Sequence, residues 1–309
     1  MSKLLYLGRQ EVSELLPPVL EQVDVVERTY RSMAAGRVEL PPKPGIHPRA
    51  DAFIHAMPAY LADEDVAAIK WVSGYPANKR HGLPYISGLI VVNDAETGFP
   101  LGIMDASEIT AARTAAASGV CIRRFAPDGW RRAAIIGCGE QGRYHSRVVA
   151  ALNPEAVIGA YDVHAQRVHE LSGNVEPAAG PQQALVGAEV IITGVPIVER
   201  PDPVIDSEWL GDRYLALPLD FDASFRCGPI ADAGLFLSDD VAQFDYYRGQ
   251  GHFTGWPEPH RSVGEALGRK ERAKRVACCN LGVGALDAAF ARVVLDRARA
   301  AGAGTVLSR

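Results

Sequence analysis

The spacing of apolar residues divides this chain into a mixed first part and a regularly alternating second part. In residues 17–37, Val19, Val23, Val26 and Tyr30 recur at helical spacing, which predicts an amphipathic helix. Short β-type runs follow at 53–57, 66–72, 88–92 and 99–104, the last two flanking a polar turn as in a hairpin. Residues 107–125 are rich in alanine and predict a helix that can pack closely against a neighbour.

Strands and helices alternate after the Pro-Asp-Gly turn at residues 127–129. The pattern predicts strands at 132–136, 156–161, 190–193, 214–219 and 235–237, and helices at 165–171 and 285–301. This order predicts βαβ units, and therefore an α/β fold with a doubly wound parallel sheet. We expect residues 298–304 to fray as a tail.

A glycine-rich segment lies between the strand at 132–136 and the helix after it. It reads Gly137-Cys138-Gly139-Glu140-Gln141-Gly142, the G-x-G-x-x-G pattern in its required context. In that pattern the first glycine allows the tight turn, the second lets the backbone approach a pyrophosphate, and the third allows close packing of helix on strand. The amides at the helix N-terminus, around Glu140 and Gln141, favour bound phosphate. These residues therefore predict a dinucleotide site.

The end of the next strand indicates which dinucleotide binds. Asp162 follows that strand, and an acidic residue there accepts hydrogen bonds from the ribose hydroxyls and repels the extra phosphate of NADP. The position favours NAD as cofactor. Arg167 is close enough in sequence to keep NADP as the alternative.

Several further segments resemble those of the ornithine cyclodeaminase/μ-crystallin family. They are Lys70-Trp71-Val72-Ser73-Gly74-Tyr75-Pro76, the turn from Asn93 to Gly98, Met104-Asp105, and Thr110-Ala111-Ala112-Arg113-Thr114-Ala115-Ala116 before the glycine motif. The resemblance implies a smaller α+β domain for substrate binding and dimerisation, joined to a Rossmann-type domain for NAD. We therefore expect the first domain at residues 1–126, rejoined by 285–309, and the NAD domain at 127–284.

The resemblance also implies residues that hold the carboxylate of an amino acid. Arg113 is the first candidate, because guanidinium can grip a carboxylate through two hydrogen bonds. Lys70 interrupts an otherwise apolar strand and is expected at the same carboxylate, where burial could also let it move protons. Lys43 lies where cyclodeaminases place an arginine. His55 stands where cyclodeaminases carry a glutamate for the distal amine, a difference that puts ornithine in doubt as substrate.

The remaining candidates concern proton transfer and the nicotinamide pocket. Asp220 and Asp222 follow the strand at 214–219, and the family places a catalytic aspartate in this region; the sequence favours Asp220 without deciding between them. Thr114, Asn280 and Gly282 are expected at the cofactor because of their place in the family's motifs. A glycine- and proline-rich loop at 249–259 is expected to be either a lid or an ordinary surface loop.

Composition and charge argue against several other classes of protein. The net charge is −5, which argues against nucleic acid, and no apolar stretch is long enough to span a membrane. Five cysteines without a C-x-x-C pair or an apolar secretory signal favour reduced thiols in the cytoplasm. No metal motif is present, so no metal is expected.

Together these observations predict an NAD-dependent enzyme that moves hydride at the α-carbon of an amino acid or its imine, as a homodimer. Two alternatives on the same scaffold stay open. One is a cyclodeaminase that releases ammonia and returns the hydride. The other is a non-catalytic binding protein of the μ-crystallin kind.

Overall fold

The computed structural model describes residues 3–49, 51–197 and 201–308, and the chain forms two compact units. Unit 1 consists of Met1–Arg113 and Gly282–Arg309, and unit 2 of Thr114–Leu281. The chain passes from unit 1 to unit 2 within helix α3 (Ser107–Phe125), whereas the sequence analysis places the domain boundary after this helix. The helix is continuous across the boundary between the units. The change in amino-acid pattern that the sequence shows therefore marks the end of α3 and not the boundary between the units.

Unit 1 begins with a strand and two helices that precede a set of longer strands. Its elements up to α3 are β1 (Lys3–Leu7), α1 (Arg9–Leu15), α2 (Val19–Ala34), β2 (Val38–Glu39), β3 (Gly45–Arg49), β4 (Ala52–Leu61), β5 (Val66–Gly74), a 3-10 helix (Pro76–His81), β6 (Ile86–Asp94) and β7 (Pro100–Asp105). The C-terminal part adds α9 (Gly284–Ala301) and β16 (Thr305–Ser308). The predicted helices at 17–37, 107–125 and 285–301 are confirmed, with α2 somewhat shorter than its prediction.

The strands of unit 1 form one sheet, in the order β16-β1-β7-β6-β5-β4-β2 with β3 paired to β4. The long strands β4 to β7 are antiparallel, which confirms the hairpin at 88–104. Helix α9 packs on this sheet, where Gly102 of β7 leaves room for Leu295. The expectation of a frayed tail at 298–304 is wrong for its first residues, because α9 extends to Ala301 and is capped by Gly302 in the left-handed conformation. Strand β16, which follows, pairs with β1.

Unit 2 contains eight strands within the described residues, separated mostly by short helices. They are β8 (Arg132–Ile136), β9 (Val157–Tyr161), β10 (Asn174–Pro177), β11 (Val190–Thr193), β12 (Tyr214–Pro218), β13 (Leu235–Ser238), β14 (Arg261–Ser262) and β15 (Arg275–Cys279). The helices are α4 (Glu140–Leu152), α5 (Pro181–Leu185), α6 (Cys227–Ala231), α7 (Val241–Gly249) and α8 (Val263–Leu267), with 3-10 helices at Ala165–Glu170 and Ser207–Trp209. The helix expected at 165–171 is present as a 3-10 helix.

These strands form a parallel sheet in the order β10-β9-β8-β11-β12-β15-β13-β14, the Rossmann-type arrangement that the sequence predicts. The strand order reverses between β8 and β11, and ligands of such sheets bind outside the carboxyl ends of the strands at this switch point. The glycine motif directly follows β8. A cluster of buried aromatic side chains, including Phe236, Phe244 and Phe253, fills one side of the sheet.

No helix within the described ranges has both the length and the apolar character needed to cross a bilayer.

Candidate functional site

The glycine turn after β8 has the geometry that each glycine was expected to provide. Gly137 has φ +92°, and a β-carbon there would lie 2.5 Å from the carbonyl oxygen of Gly194. A β-carbon on Gly142 would lie 2.5 Å from the carbonyl oxygen of Gly137, so α4 begins directly against the turn. Gly139, the N-cap of α4, has nothing within 4 Å of its missing β-carbon. The turn is thus closed on the protein side and open at Gly139, where a phosphate group could approach.

The carboxylate of Asp162 organises the same turn. Oδ2 accepts a hydrogen bond of 2.8 Å from the amide of Cys138, and Oδ1 accepts one of 2.8 Å from the amide of His164. The guanidinium of Arg167 lies 3.6 Å from Oδ1. Each carboxylate oxygen has two lone-pair directions, so Asp162 keeps acceptor capacity for the hydroxyl groups of a ligand.

The other residues expected at the cofactor lie in several elements. Glu140 and Gln141 occupy the first turn of α4, and Oε1 of Gln141 is buried without a hydrogen-bond partner among the described residues. Thr114 lies on α3, half-buried. Asn280 follows β15 and donates to the sulfur of Cys121, 3.6 Å away. A cofactor contact for these residues stays a prediction.

Asp220 is buried at the carboxyl end of β12 and already accepts three hydrogen bonds. Its donors are the hydroxyls of Thr193 and Ser224, both at 2.7 Å, and the amide of Val195 at 3.1 Å. Burial raises the pKa of Asp220 above its usual value, while these donors oppose the shift. Thr193 and Val195 flank Gly194, the residue against which Gly137 packs. Asp220 therefore ties the segment after β11 into place, and its role as acid or base stays a prediction.

Asp222 lies two residues further on and has different partners. Oδ2 accepts a hydrogen bond of 2.7 Å from the amide of Phe253, and Oδ1 lies 3.6 Å from Nδ1 of His252. Burial alone raises the pKa of Asp222, but the contacts with His252 and the Phe253 amide bring it below the usual value. Phe221 and Phe253 both have φ of +58°, a conformation rare in bulky residues. The loop at 249–259 is thus fixed to the β12 turn through Asp222.

In unit 1, two of the predicted residues meet at an aspartate that the sequence did not single out. Nζ of Lys70 lies 2.8 Å from Oδ2 of Asp287, and Nε of Arg113 lies 3.2 Å from Oδ1 of the same carboxylate. The side chains of Lys70 and Asp287 are each 1% exposed, and that of Arg113 is 9% exposed. Lys70 also lies 3.3 Å from the hydroxyl of Thr110. Two cations and one anion are therefore buried together.

Burial lowers the pKa of Lys70 to about 7. The carboxylate of Asp287 opposes this shift, and the charges of Arg113 and Lys43 add to it. Lys70 is consequently close to half-protonated at neutral pH. This is the property expected of a lysine that exchanges protons during a reaction.

His55 and Lys43 lie near this group within unit 1. Burial lowers the pKa of His55 to about 4, and the charges of Lys43, His47 and Lys70 contribute. The ring stacks on Phe53 with centroids 4.4 Å apart. His55 is therefore neutral at physiological pH and supplies no negative charge.

Gly282 supports the guanidinium of Arg113 in a way that the sequence did not suggest. Its φ is +82°, and a β-carbon there would lie 2.5 Å from Nη1 of Arg113. Only glycine leaves the space that this guanidinium occupies. The cofactor contact expected for Gly282 stays a prediction.

Asp287 and Asp239 are the main site candidates that sequence reasoning missed. Asp239 is buried after β13 and accepts a hydrogen bond of 2.8 Å from the amide of Leu281, next to Asn280. Asp287 does carry a signal: it is the one charged residue in the run from Gly284 to Ala291. An aspartate there could equally lie on a solvent-exposed helix face, so the run alone does not identify its partners.

Within the part of the chain that the structure describes, no three His, Cys, Asp or Glu side chains are grouped so that they could hold a metal ion.

Known proteins are similar to this chain over nearly its whole length. The nodulation efficiency protein NfeD of Rhizobium meliloti is 33% identical, over 98% of both chains. Alanine dehydrogenase of Archaeoglobus fulgidus is 28% identical, over 95% of both. Among solved structures, an archaeal alanine dehydrogenase dimer with bound NAD is 25% identical, with a TM-score of 0.87 and 99% of both chains covered.

A family model described as "Ornithine cyclodeaminase/mu-crystallin family" matches residues 4–215. This match covers more than half of the chain, and it includes both the strand that carries Lys70 and the glycine turn. The chain therefore belongs to the ornithine cyclodeaminase/mu-crystallin family.

Proposed function

We propose that this protein is an NAD-dependent oxidoreductase that transfers hydride at the α-carbon of an amino acid or of its imine. The observation that carries the proposal is the buried pair of cations in unit 1, Lys70 and Arg113, which share a single carboxylate. When Lys70 is protonated, this group has a net charge of +1. Because an unbalanced buried charge is costly, the group favours an anionic ligand such as the α-carboxylate of an amino acid.

The residues of the glycine turn fit a dinucleotide. Gly139, the N-cap of α4, has nothing within 4 Å of its missing β-carbon, and the N-terminus of a helix favours bound phosphate. Asp162 would hold the adenosine ribose, and its carboxylate disfavours the extra phosphate of NADP. Bound NAD would supply the acceptor for hydride in oxidation, and NADH the donor in the reverse reaction. The family relative with bound NAD supports this assignment.

The chain's own residues supply binding and proton transfer. Arg113 would hold the α-carboxylate through its guanidinium fork, and protonated Lys70 would add a second charge. Hydride leaves the α-carbon readily only when the amino group is neutral, so a base must remove its proton. Neutral Lys70, with a pKa of about 7, can accept that proton at Nζ and return it in the reverse direction. Asp220 and Asp222 are the alternative bases.

The environment of His55 favours a dehydrogenase or imine reductase over an ornithine cyclodeaminase. A substrate with a distal ammonium group needs an anion at the far end of its side chain. His55 is neutral at physiological pH, and Lys43 and His47 lie close enough to lower its pKa. These groups give no attraction for a second ammonium group, and they suit a neutral or acidic side chain.

A single screen separates the candidate functions. The purified protein is incubated with NAD and each of the common amino acids, and with NADH and 2-oxo acids in the presence of ammonia or methylamine. Absorbance at 340 nm and free ammonia are measured together. A dehydrogenase or reductase changes NADH and ammonia in equal amounts in the amino-acid and ammonia reactions, and it consumes NADH alone when methylamine is the amine. A cyclodeaminase releases ammonia without net NADH. Cofactor-dependent melting shifts without any turnover would instead indicate a binding protein and contradict the proposal.

We also propose that the protein is a homodimer formed through the exposed face of the unit 1 sheet. Trp71 and Leu89 are neighbours in adjacent strands and are 49% and 42% exposed, on the face opposite buried Lys70. Large exposed apolar patches mark interaction surfaces. The related archaeal alanine dehydrogenase is a dimer. Light scattering should give a mass of two chains for the wild type and of one chain for Trp71→Glu. The control Val163→Glu, which changes another exposed apolar residue, should keep the mass of two chains.

A cytoplasmic location is the last part of this proposal. All five cysteines are free thiols, and four of them are buried. Unpaired cysteines are typical of proteins from a reducing compartment. Fractionation of cells that express the tagged protein should place it with cytoplasmic markers; recovery with secreted proteins would contradict the location.

A further inference from the structure

Asp287 is a buried acidic residue in an otherwise apolar helix face. It lies in the first turn of α9, and every residue from Gly284 to Ala291 is buried. An aspartate is almost never fully buried unless it is paired. Burying this carboxylate therefore has a free-energy cost that its partners must offset.

The fold brings Asp287 to the cations through the close approach of α9 to the sheet. A β-carbon on Gly284 would lie 2.8 Å from the carbonyl oxygen of Met57, so the helix begins against strand β4. Met57 is the register partner of Lys70 in strand β5. Asp287 is three residues after Gly284, which places it on the same face of the helix one turn further on. It reaches Lys70 from that position.

Both oxygens of Asp287 are engaged, each by a different cation. Lys70 lies at Oδ2 and Arg113 at Oδ1, at 2.8 and 3.2 Å. Gly282 lies close to the same guanidinium, because a β-carbon on it would be 2.5 Å from Nη1 of Arg113. One carboxylate thus fixes the distance between two cations that come from different elements, β5 and α3.

The surroundings of Lys70 make this arrangement sensitive to Asp287. Asp287 faces it from α9, and Arg113 and Thr110 face it from α3. The charge of Lys43, which precedes β3, also lowers its pKa, and Lys70 in turn lowers the pKa of His55 in β4. Asp287 is the one anion in this set. Replacing it by a neutral residue would leave the cations repelling each other in a buried place.

We propose that Asp287 is a positioning residue, a resident counter-ion that holds Lys70 and Arg113 at a fixed separation and keeps Lys70 able to carry a proton. This inference rests on the proposed function, because the carboxylate that the two cations await is the substrate's. Asp287 would act through these two cations and not by contacting the reacting atoms. A buried ion pair adds little net stability on average, so stability alone does not explain it.

The direct test is the titration of Lys70 in the ligand-free protein. Lysine labelled with ¹³C at Cε is incorporated, and the Lys70 signal is assigned by its loss in Lys70→Met. The wild-type midpoint should lie near pH 7. An opposite charge nearby raises the pKa of a lysine by about 1–3 units. In Asp287→Asn the midpoint should therefore fall by at least about one pH unit, and Asp287→Glu should restore most of it.

A second pair of variants keeps the test decisive if Asp287→Asn does not fold. Arg113→Met removes one cation, and Arg113→Met with Asp287→Asn removes one charge of each sign and keeps the net charge of the cluster. Lys70 should titrate above the wild-type midpoint in the single variant and below it in the double variant. Equal midpoints in these two variants would overturn the proposal.

Activity separates this inference from the proposed function. If the wild type turns over an amino acid, the pH profile of kcat/KM should move toward lower pH in Asp287→Asn together with the Lys70 titration. An unmoved profile, with only a lower melting temperature, would show that Asp287 is merely structural. If no turnover is found but the Lys70 midpoint moves as expected, the proposed function fails and the counter-ion role stands.

Discussion

Gly139→Ala should weaken NAD binding without weakening the fold. The missing β-carbon of Gly139 has nothing within 4 Å, and its φ of −73° is open to alanine. Gly→Ala at a compatible position stabilises a protein by about 0.4–1 kcal/mol, mainly through the unfolded chain. The new methyl group would instead occupy the space through which a pyrophosphate approaches the amides of α4. A lost charge-assisted hydrogen bond costs about 1.5–3 kcal/mol, which is about a 10- to 150-fold rise in the Kd for NAD.

Isothermal titration with NAD and thermal melting without ligand measure the two effects. Gly180→Ala is the matched control, because Gly180 is also a helix N-cap in unit 2, with an extended backbone and nothing within 4 Å of its missing β-carbon. The control should keep the wild-type Kd. A change in Kd of less than threefold in Gly139→Ala, or an equal loss in the control, would refute the assignment of this turn to the dinucleotide.

Four further predictions concern unit 1 and the aspartates. Arg113→Ala should raise the KM for the amino acid more than tenfold and leave the Kd for NAD nearly unchanged; an equal loss for both ligands would contradict the carboxylate role. Affinity for a carboxylate inhibitor should fall as the pH rises through about 7, because the lowered pKa of Lys70 removes its charge there, and this dependence should disappear in Lys70→Arg. His55→Glu should improve kcat/KM for ornithine relative to alanine, and an unchanged ratio would place His55 away from the substrate side chain. Asp220→Asn should lower the melting temperature because an NH₂ group, which cannot accept a hydrogen bond, replaces one of the two oxygens that accept from three donors, whereas a loss of kcat in Asp222→Asn at unchanged stability would make Asp222 the base.

Local patterns were sufficient to predict the elements whose sequence signal is strong. The helix at 107–125 and the strands at 132–136 and 190–193 agree with the structure because helical spacing or a compact β-run defines them within one segment. Strand β1 and its pairing with β16 were not foreseen, since they join residues at opposite ends of the chain. Strand β4 also runs through Pro58, where the sequence indicated an end.

The candidate site shows the same limit. The glycine turn is a local motif, so its geometry could be anticipated residue by residue. Lys70 was noticed because a lysine is unusual within an apolar strand. Its partner Asp287 could not be identified, because the ion pair joins residues far apart in sequence, and only the packing of α9 on the sheet brings them together.

The central claim is that hydride moves between the α-carbon and the nicotinamide. The most direct measurement is incubation of the protein with NAD and the amino acid that gives the highest rate in the screen, labelled with deuterium at the α-carbon. The account predicts that mass spectrometry finds one deuterium atom in the NADH formed, and that oxidation of the labelled substrate is slower than that of the unlabelled one. NADH without deuterium, or product formed without any reduction of NAD, would contradict the account.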